Sequence, residues 1–193
     1  MRMQFGIKHL QMIMIVGVLF FPFYGRALGA EQQNPGWQKM ETAYTIIYYA
    51  DKKGLEKFNA KIDYGPSDWG RNRRQVKNFS EELFERITPK VDAIYERVQE
   101  LLDMRKAMEK VVVRIYPDTR ELSKAYEEIY GKTCQIRAWY IFEYHTIYLN
   151  VDDLHEGMLA HELAHAVIDH FLLVRPPPAT AEILARYVDS HLK

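Results

Sequence analysis

The stretch LAHELAHAVI, Leu159 to Ile168, constrains this chain more than any other. It has the composition of a core helix, except that His161, Glu162 and His165 interrupt the Leu, Ala and Val. An α-helix advances about 100° per residue, so positions four apart share a face, with Cβ atoms roughly 5–6 Å apart. His161 and His165 can therefore converge on one point. Glu162 is rotated off that line but stays close enough to hold a water beside it. Two nitrogen ligands and a carboxylate base from a single helical turn are the H-E-x-x-H arrangement.

A catalytic zinc needs three protein ligands and one open position. The extended pattern with Gly three and His six residues after the second histidine is excluded, because Ile168 and Phe171 stand there. The third ligand must come from elsewhere. The run RPPPA, Arg175–Ala179, stops the motif helix, since proline lacks an N–H donor and restricts the residue before it. A last helix is expected from about Ala179 to Leu192, turned back against the first. Glu182 lies near its start and is the candidate third ligand.

HELAH followed by AEILARY resembles the gluzincins, zinc metallopeptidases of the HExxH-plus-glutamate type, and in particular their small members. The likeness covers roughly Val111 to Asp189, where the order strand, helix, hairpin, motif helix is similar to the zincin upper subdomain. The resemblance implies a zincin-like α+β fold: a small mixed sheet with an antiparallel edge hairpin, packed on the HExxH helix and a C-terminal helix. It implies His161, His165 and Glu182 as Zn2+ ligands and Glu162 as general base. It also implies hydrolysis of peptide bonds in a peptide or protein substrate, as an endopeptidase rather than an exopeptidase. In zincins the strand before the motif helix pairs with extended substrate, which points to Thr146–Asn150. Two departures stand out. Arg186 occupies a position, four past the glutamate, that is often acidic or small and polar. The chain also ends eleven residues after Glu182, leaving no C-terminal subdomain to supply a transition-state donor. Tyr144, His145, Arg186 and Tyr187 are the candidates for that role, and Asp189 could hydrogen-bond a ligand histidine from the second helix. The alternative function is a catalytically silent, zinc-holding envelope protein for binding or assembly. A third is an enzyme kept latent by one of its own terminal segments.

The first thirty residues read as a secretory signal. Arg2 and Lys8 precede the apolar run Met12–Phe23, small residues follow, and no acid occurs before Glu31. Cleavage is expected after Gly29 or Ala30, with an uncleaved anchor as the alternative. The apolar run is short of the about 20 residues a membrane span needs. The expected location is thus secreted or periplasmic, with residues 31–193 forming one catalytic domain and no stable membrane span after cleavage. Cleavage after Ala30 would leave 163 residues and, by removing Arg2, Lys8 and Arg26, a net charge of −3. The whole chain has 48% hydrophobic and 27% charged residues and no net charge. That is a globular balance without the basic footprint of a nucleic-acid binder. The single cysteine, Cys134, permits no internal disulfide and reads as a small buried hydrophobe.

The remaining elements follow from periodicity. Tyr44–Ala50 and Val111–Tyr116 are strands by their β-branched and aromatic content. Leu55, Phe58 and Ile62 mark a helix, and Tyr64–Arg74 a loop carrying Arg71, Arg73 and Arg74. A stripe from Leu83 to Leu102 predicts helix over Ser80–Met108, with Pro89 either kinking it or opening a new helix behind Thr88. Asp118 with Glu121 starts the next helix, which stops at Gly131. Gln135–Phe142 and Thr146–Asn150 form a hairpin, and Asp152 or Asp153 caps the motif helix. His155, His170 and His191 are expected at the surface or at helix ends. Asp169 is expected to face solvent, and the aromatic run Trp139–Tyr148 to belong to sheet and core.

Overall fold

The computed structural model describes residues 36–65 and 79–193. The signal reading and the arginines Arg71, Arg73 and Arg74 fall outside them. The described residues form an α+β fold with one five-stranded mixed sheet and five α-helices. In chain order these are β1 (Gln38–Glu41), β2 (Thr45–Tyr49), α1 (Lys52–Lys61), α2 (Phe79–Leu102), β3 (Val111–Tyr116), α3 (Thr119–Tyr130), β4 (Ala138–Ile141), β5 (Thr146–Asn150), α4 (Glu156–Phe171) and α5 (Pro178–Ser190). The strand order is β1-β2-β3-β5-β4. The inner pairs β2–β3 and β3–β5 are parallel, and both edge strands are antiparallel to their neighbours.

Period-two alternation explains how the sheet divides its faces. Register aligns Met40, Ile47, Val113, Ile147 and Tyr140 into one rung across all five strands. That rung belongs to the main core, together with residues of α1, α2, α4 and α5. The neighbouring rung, Tyr48–Arg114–Tyr148–Trp139, points the other way. There Leu122 of α3 packs with Ile141 and Tyr148, and Trp139 stacks on Tyr148 at 4.5 Å between centroids. Parallel neighbours need crossovers, and the helices between β2 and β3 and between β3 and β5 provide them.

Several local expectations hold. Asp118 Oδ1 accepts from the Glu121 N–H at 2.9 Å, and Gly131 closes α3 at φ 67°. β4 and β5 form the expected hairpin, joined by a 3-10 turn over Phe142–Tyr144 and by His145 at φ 47°. Others are corrected. Pro89 lies inside one helix, α2, as one of the two expectations had it, but that helix stops at Leu102 rather than Met108. β1 was not foreseen, since three of its four residues are exposed and only Met40 is buried. The cap of α4 is His155, whose Nδ1 accepts from the Met158 N–H at 3.1 Å. The two aspartates are used elsewhere: Asp153 accepts from Asn150, and Asp152 pairs with Lys57 at 2.7 Å. The last helix begins at Pro178, in the first-turn position where a missing N–H costs nothing.

Two of these corrections bear on the site. β5 is flanked by β3 and β4 and buried along its whole length, so Thr146–Asn150 offers no free edge to a peptide. The edge beside the motif helix is β4, which packs on α4. Among the described residues, no helix is long and apolar enough to cross a membrane.

Candidate metal centre

The motif helix α4 is held by its apolar residues. Leu159, Ala160, Leu163, Ala164, Ala166 and Val167 are completely buried in the core. With those positions fixed, His161 and His165 have one remaining direction, toward α5. The Leu172–Pro177 segment reverses the chain so that α5 packs along α4, with Ala185 and Val188 buried. Glu182 thereby faces the two histidines.

The three side chains meet in a near-equilateral triangle. His161 Nε2 and His165 Nε2 are 3.3 Å apart, and Glu182 Oε2 is 3.5 Å from each. Together they are a set of three ligand atoms able to hold one metal ion. The size of the triangle is informative. Ligands on a tetrahedral zinc, with bonds of about 2.0–2.1 Å, stand about 3.3–3.4 Å from one another. The donor set is also right, two imidazole nitrogens and a carboxylate oxygen. By contrast, the triangle is poorly served by protons alone. Burial, aided by His161, lowers the His165 pKa and favours the neutral ring. Glu182 is held ionised, chiefly by its hydrogen bond from Arg186 and then by the neighbouring histidines. The His165 ring and the Glu182 carboxylate thus meet His161 at one point.

Glu162 is 8% exposed, and its pKa is pushed up to about 8, by burial first and then by the charge of Glu182. Among the described residues this buried carboxyl has no ion-pair partner, and it stands beside the triangle. It opens, with His161, onto a groove of about 420 Å³. One wall of the groove is Gln135–Ala138, the run into edge strand β4; Arg186 and Asp189 of α5 line another. A larger cleft, about 900 Å³, lies between α2 and the C-terminal residues. Its charged groups are already matched within the protein: Arg97 and Arg105 pair with Glu100, and Tyr44 donates to Glu96. It contains no histidine.

The other sequence candidates separate cleanly. Arg186 lies at the groove, and its Nε donates to Glu182 Oε1 at 2.7 Å. Tyr144, His145 and Tyr187 do not line it. His145 is engaged with His170, ring centroids 3.9 Å apart, and Tyr187 stacks on His191 at 4.2 Å. Asp189 makes no hydrogen bond to either histidine; its carboxylate lies so close to Gly157 that a Cβ there would come within 1.9 Å of Oδ1. His170 stands at the end of α4, as expected, and is half-buried: burial and contact with His145 keep its pKa low, and Tyr140 reaches its Nε2 at 3.3 Å. Asp169 does not face solvent: its side chain is 4% exposed and accepts from Arg175 Nε at 3.1 Å. Position alone could have suggested this, since Asp169 continues the inward line of His161 and His165 at intervals of four. Cys134 is free and half-buried. Comparison with known proteins returns no matching family model, no similar curated protein and no similar solved structure.

Proposed function

We propose that this chain is an exported zinc-dependent peptidase of the gluzincin type, with His161, His165 and Glu182 as metal ligands and Glu162 as general base. The observation that carries the reading is the triangle of Nε2, Nε2 and Oε2 at 3.3–3.5 Å, with a buried carboxyl next to it at a groove. The donor types and their spacing fit zinc. A zinc ion held there supplies a Lewis acid for the scissile carbonyl and brings the pKa of water toward about 7.

The chain's own residues supply the rest. Glu162 accepts a proton from the attacking water and delivers it to the leaving amine, the task of a carboxylate held beside the metal position. Burial of Glu162 keeps bulk water from competing for that proton. Edge strand β4 and its run-in, Gln135–Ala138, present unpaired backbone groups to an extended substrate laid along the groove. Pairing of this kind gives affinity through the main chain with little demand on sequence. It favours cleavage within an unfolded segment over removal of terminal residues.

Replacing Glu162 by Gln keeps volume and metal but removes the proton acceptor. The variant is expected to hold zinc as wild type does and to lose cleavage of an unfolded protein by about 10²–10⁴ or more. Zinc occupancy is measured in the same samples, so that metal loss is not mistaken for loss of the base. Equal cleavage by the two proteins would rule out Glu162 as the base. Wild type that binds zinc yet cleaves no unfolded protein would leave a zinc-holding binding protein as the better account.

A further inference from the structure

Glu182 is unlike the two histidines in how it is held. His161 and His165 are four-fifths buried on a helix locked into the core, whereas Glu182 has a side chain 40% exposed on the outer helix. A glutamate so placed has three rotatable bonds and two equivalent oxygens, and its neighbours on α5 include the exposed Ile183. Nothing in the packing selects which oxygen faces the histidines. One contact does. Arg186, one turn further along α5, donates its Nε to Oε1 at 2.7 Å, leaving Oε2 equidistant, at 3.5 Å, from both ring nitrogens.

We propose that Arg186 is the positioning residue of the metal centre: its Nε–Oε1 hydrogen bond holds Glu182 as a one-oxygen ligand aimed between His161 and His165. The proposal rests on the metal reading above. The bond must act through order and not through charge, because a guanidinium beside a bound cation is repelled by it. That sets the signs of the test. If ordering dominates, removing the donor weakens metal binding, and a neutral donor of similar reach restores it. If charge dominates, every neutral replacement strengthens binding.

The experiment compares the full chain with its Arg186→Ala and Arg186→Gln variants. Zinc affinity is measured by competition with a chromophoric chelator, and Co2+ is substituted to read ligand number from visible absorption. Arg186→Ala is expected to bind zinc about tenfold more weakly, at the lower end of the range for lost support of a metal ligand. Its cobalt spectrum should change in intensity, because Glu182 is free to offer both oxygens or to swing away. Arg186→Gln, whose amide can donate to Oε1, should recover most of the affinity and the wild-type spectrum. The three metal-free proteins should melt alike, as an exposed ion pair four residues apart on a helix contributes little to folding. Wild-type affinity and spectrum in Arg186→Ala, or tighter binding by both variants, overturns the proposal. A fall in the metal-free melting temperature that accounts for the affinity loss overturns it too, by making Arg186 a helix-stabilising residue only. Wild type that binds neither metal removes the metal reading and this one together, whereas a binding wild type with indifferent variants removes this one alone.

Discussion

The two ends of α4 carry similar residues put to opposite uses. At the C-terminal end, Asp169 receives Arg175 Nε, His170 Nε2 meets the Tyr140 hydroxyl, and the rings of His145 and His170 contact edge to face. Each polar group there has a partner of complementary kind within the protein. One and two turns earlier, three metal-ligand atoms of His165, His161 and Glu182 converge within 3.3–3.5 Å, and among the described residues Glu162 lies buried without an ion pair. The histidine content of the two clusters is the same. What differs is whether the protein brings its own donors. A self-satisfied cluster stabilises the fold, and a cluster of like donors is stable only when something positive is added.

The widest test of that contrast removes one histidine from each cluster. Structural zinc sites are worth on the order of 10–16 kcal/mol shared among their ligands, so on the proposed reading losing one ligand should cost about 4 kcal/mol, or three decades of affinity. His165→Ala is therefore expected to abolish binding at micromolar zinc. His170→Ala should leave zinc binding unchanged and lower stability modestly through its lost Tyr140 contact. Chelator competition and melting curves for both variants check this. Equal zinc affinity in the two would erase the distinction between the clusters.

A second test uses Glu162 in the metal-free protein. Its folded pKa, about 8, lies above the unfolded value near 4.5. The folded state therefore holds the proton more tightly, and the stability this contributes is present at low pH and lost as pH rises toward the folded value. Chelated wild type should lose about 3 kcal/mol relative to chelated Glu162→Gln between about pH 5 and pH 8. At the other end of α4 burial also raises the Asp169 pKa, but there Arg175 opposes the rise. Denaturant titrations of both proteins across that range read the difference directly. Parallel stability curves would show that Glu162 is not desolvated in solution.

How much of this was legible beforehand depended on whether a residue's job is local. Spacing by four and a proline stop sufficed to bring His161, His165 and Glu182 forward as partners, since helical geometry and chain reversal are short-range facts. Asp118 and Gly131 were legible as caps for the same reason. The His155 cap was hidden by Asp152 and Asp153, better capping residues already taken by other partners: the distant Lys57 for one and the buried Asn150, three residues back, for the other. The order of strands could not be read from alternation. β5 is buried on both faces, Thr146 and Asn150 included, because it lies inside the sheet, and only the pairing shows that the edge passes to β4. β1 left no signal, having one buried residue in four. Asp169 was misplaced because charge suggests solvent, and only Arg175, six residues on, makes its burial tolerable.

The last test compares the two arginines that grip carboxylates beside α4. Arg175 and Arg186 both use Nε, at 3.1 and 2.7 Å, and both are more than half exposed. Their partners differ: the Asp169 side chain is 4% exposed and that of Glu182 is 40% exposed. Removing Arg175 strands a buried carboxylate without its donor, while removing Arg186 leaves one that water can reach. Arg175 also lies over the Phe142 ring, 4.8 Å from its centroid, and that packing is lost with it. Arg175→Ala should therefore cost about 1–2 kcal/mol of stability, the exposed half of the pair being discounted for screening. Its pH dependence follows. Burial already raises the Asp169 pKa and Arg175 opposes the rise, so without Arg175 the folded pKa climbs further. The cost should then be largest at neutral pH and shrink as acid protonates Asp169. Zinc affinity should not change, because neither residue is a ligand of the triangle. A metal-free melt and a chelator competition on Arg175→Ala measure both halves. If affinity fell with stability, the two ends of α4 would be one coupled network, and the division drawn between them would fail.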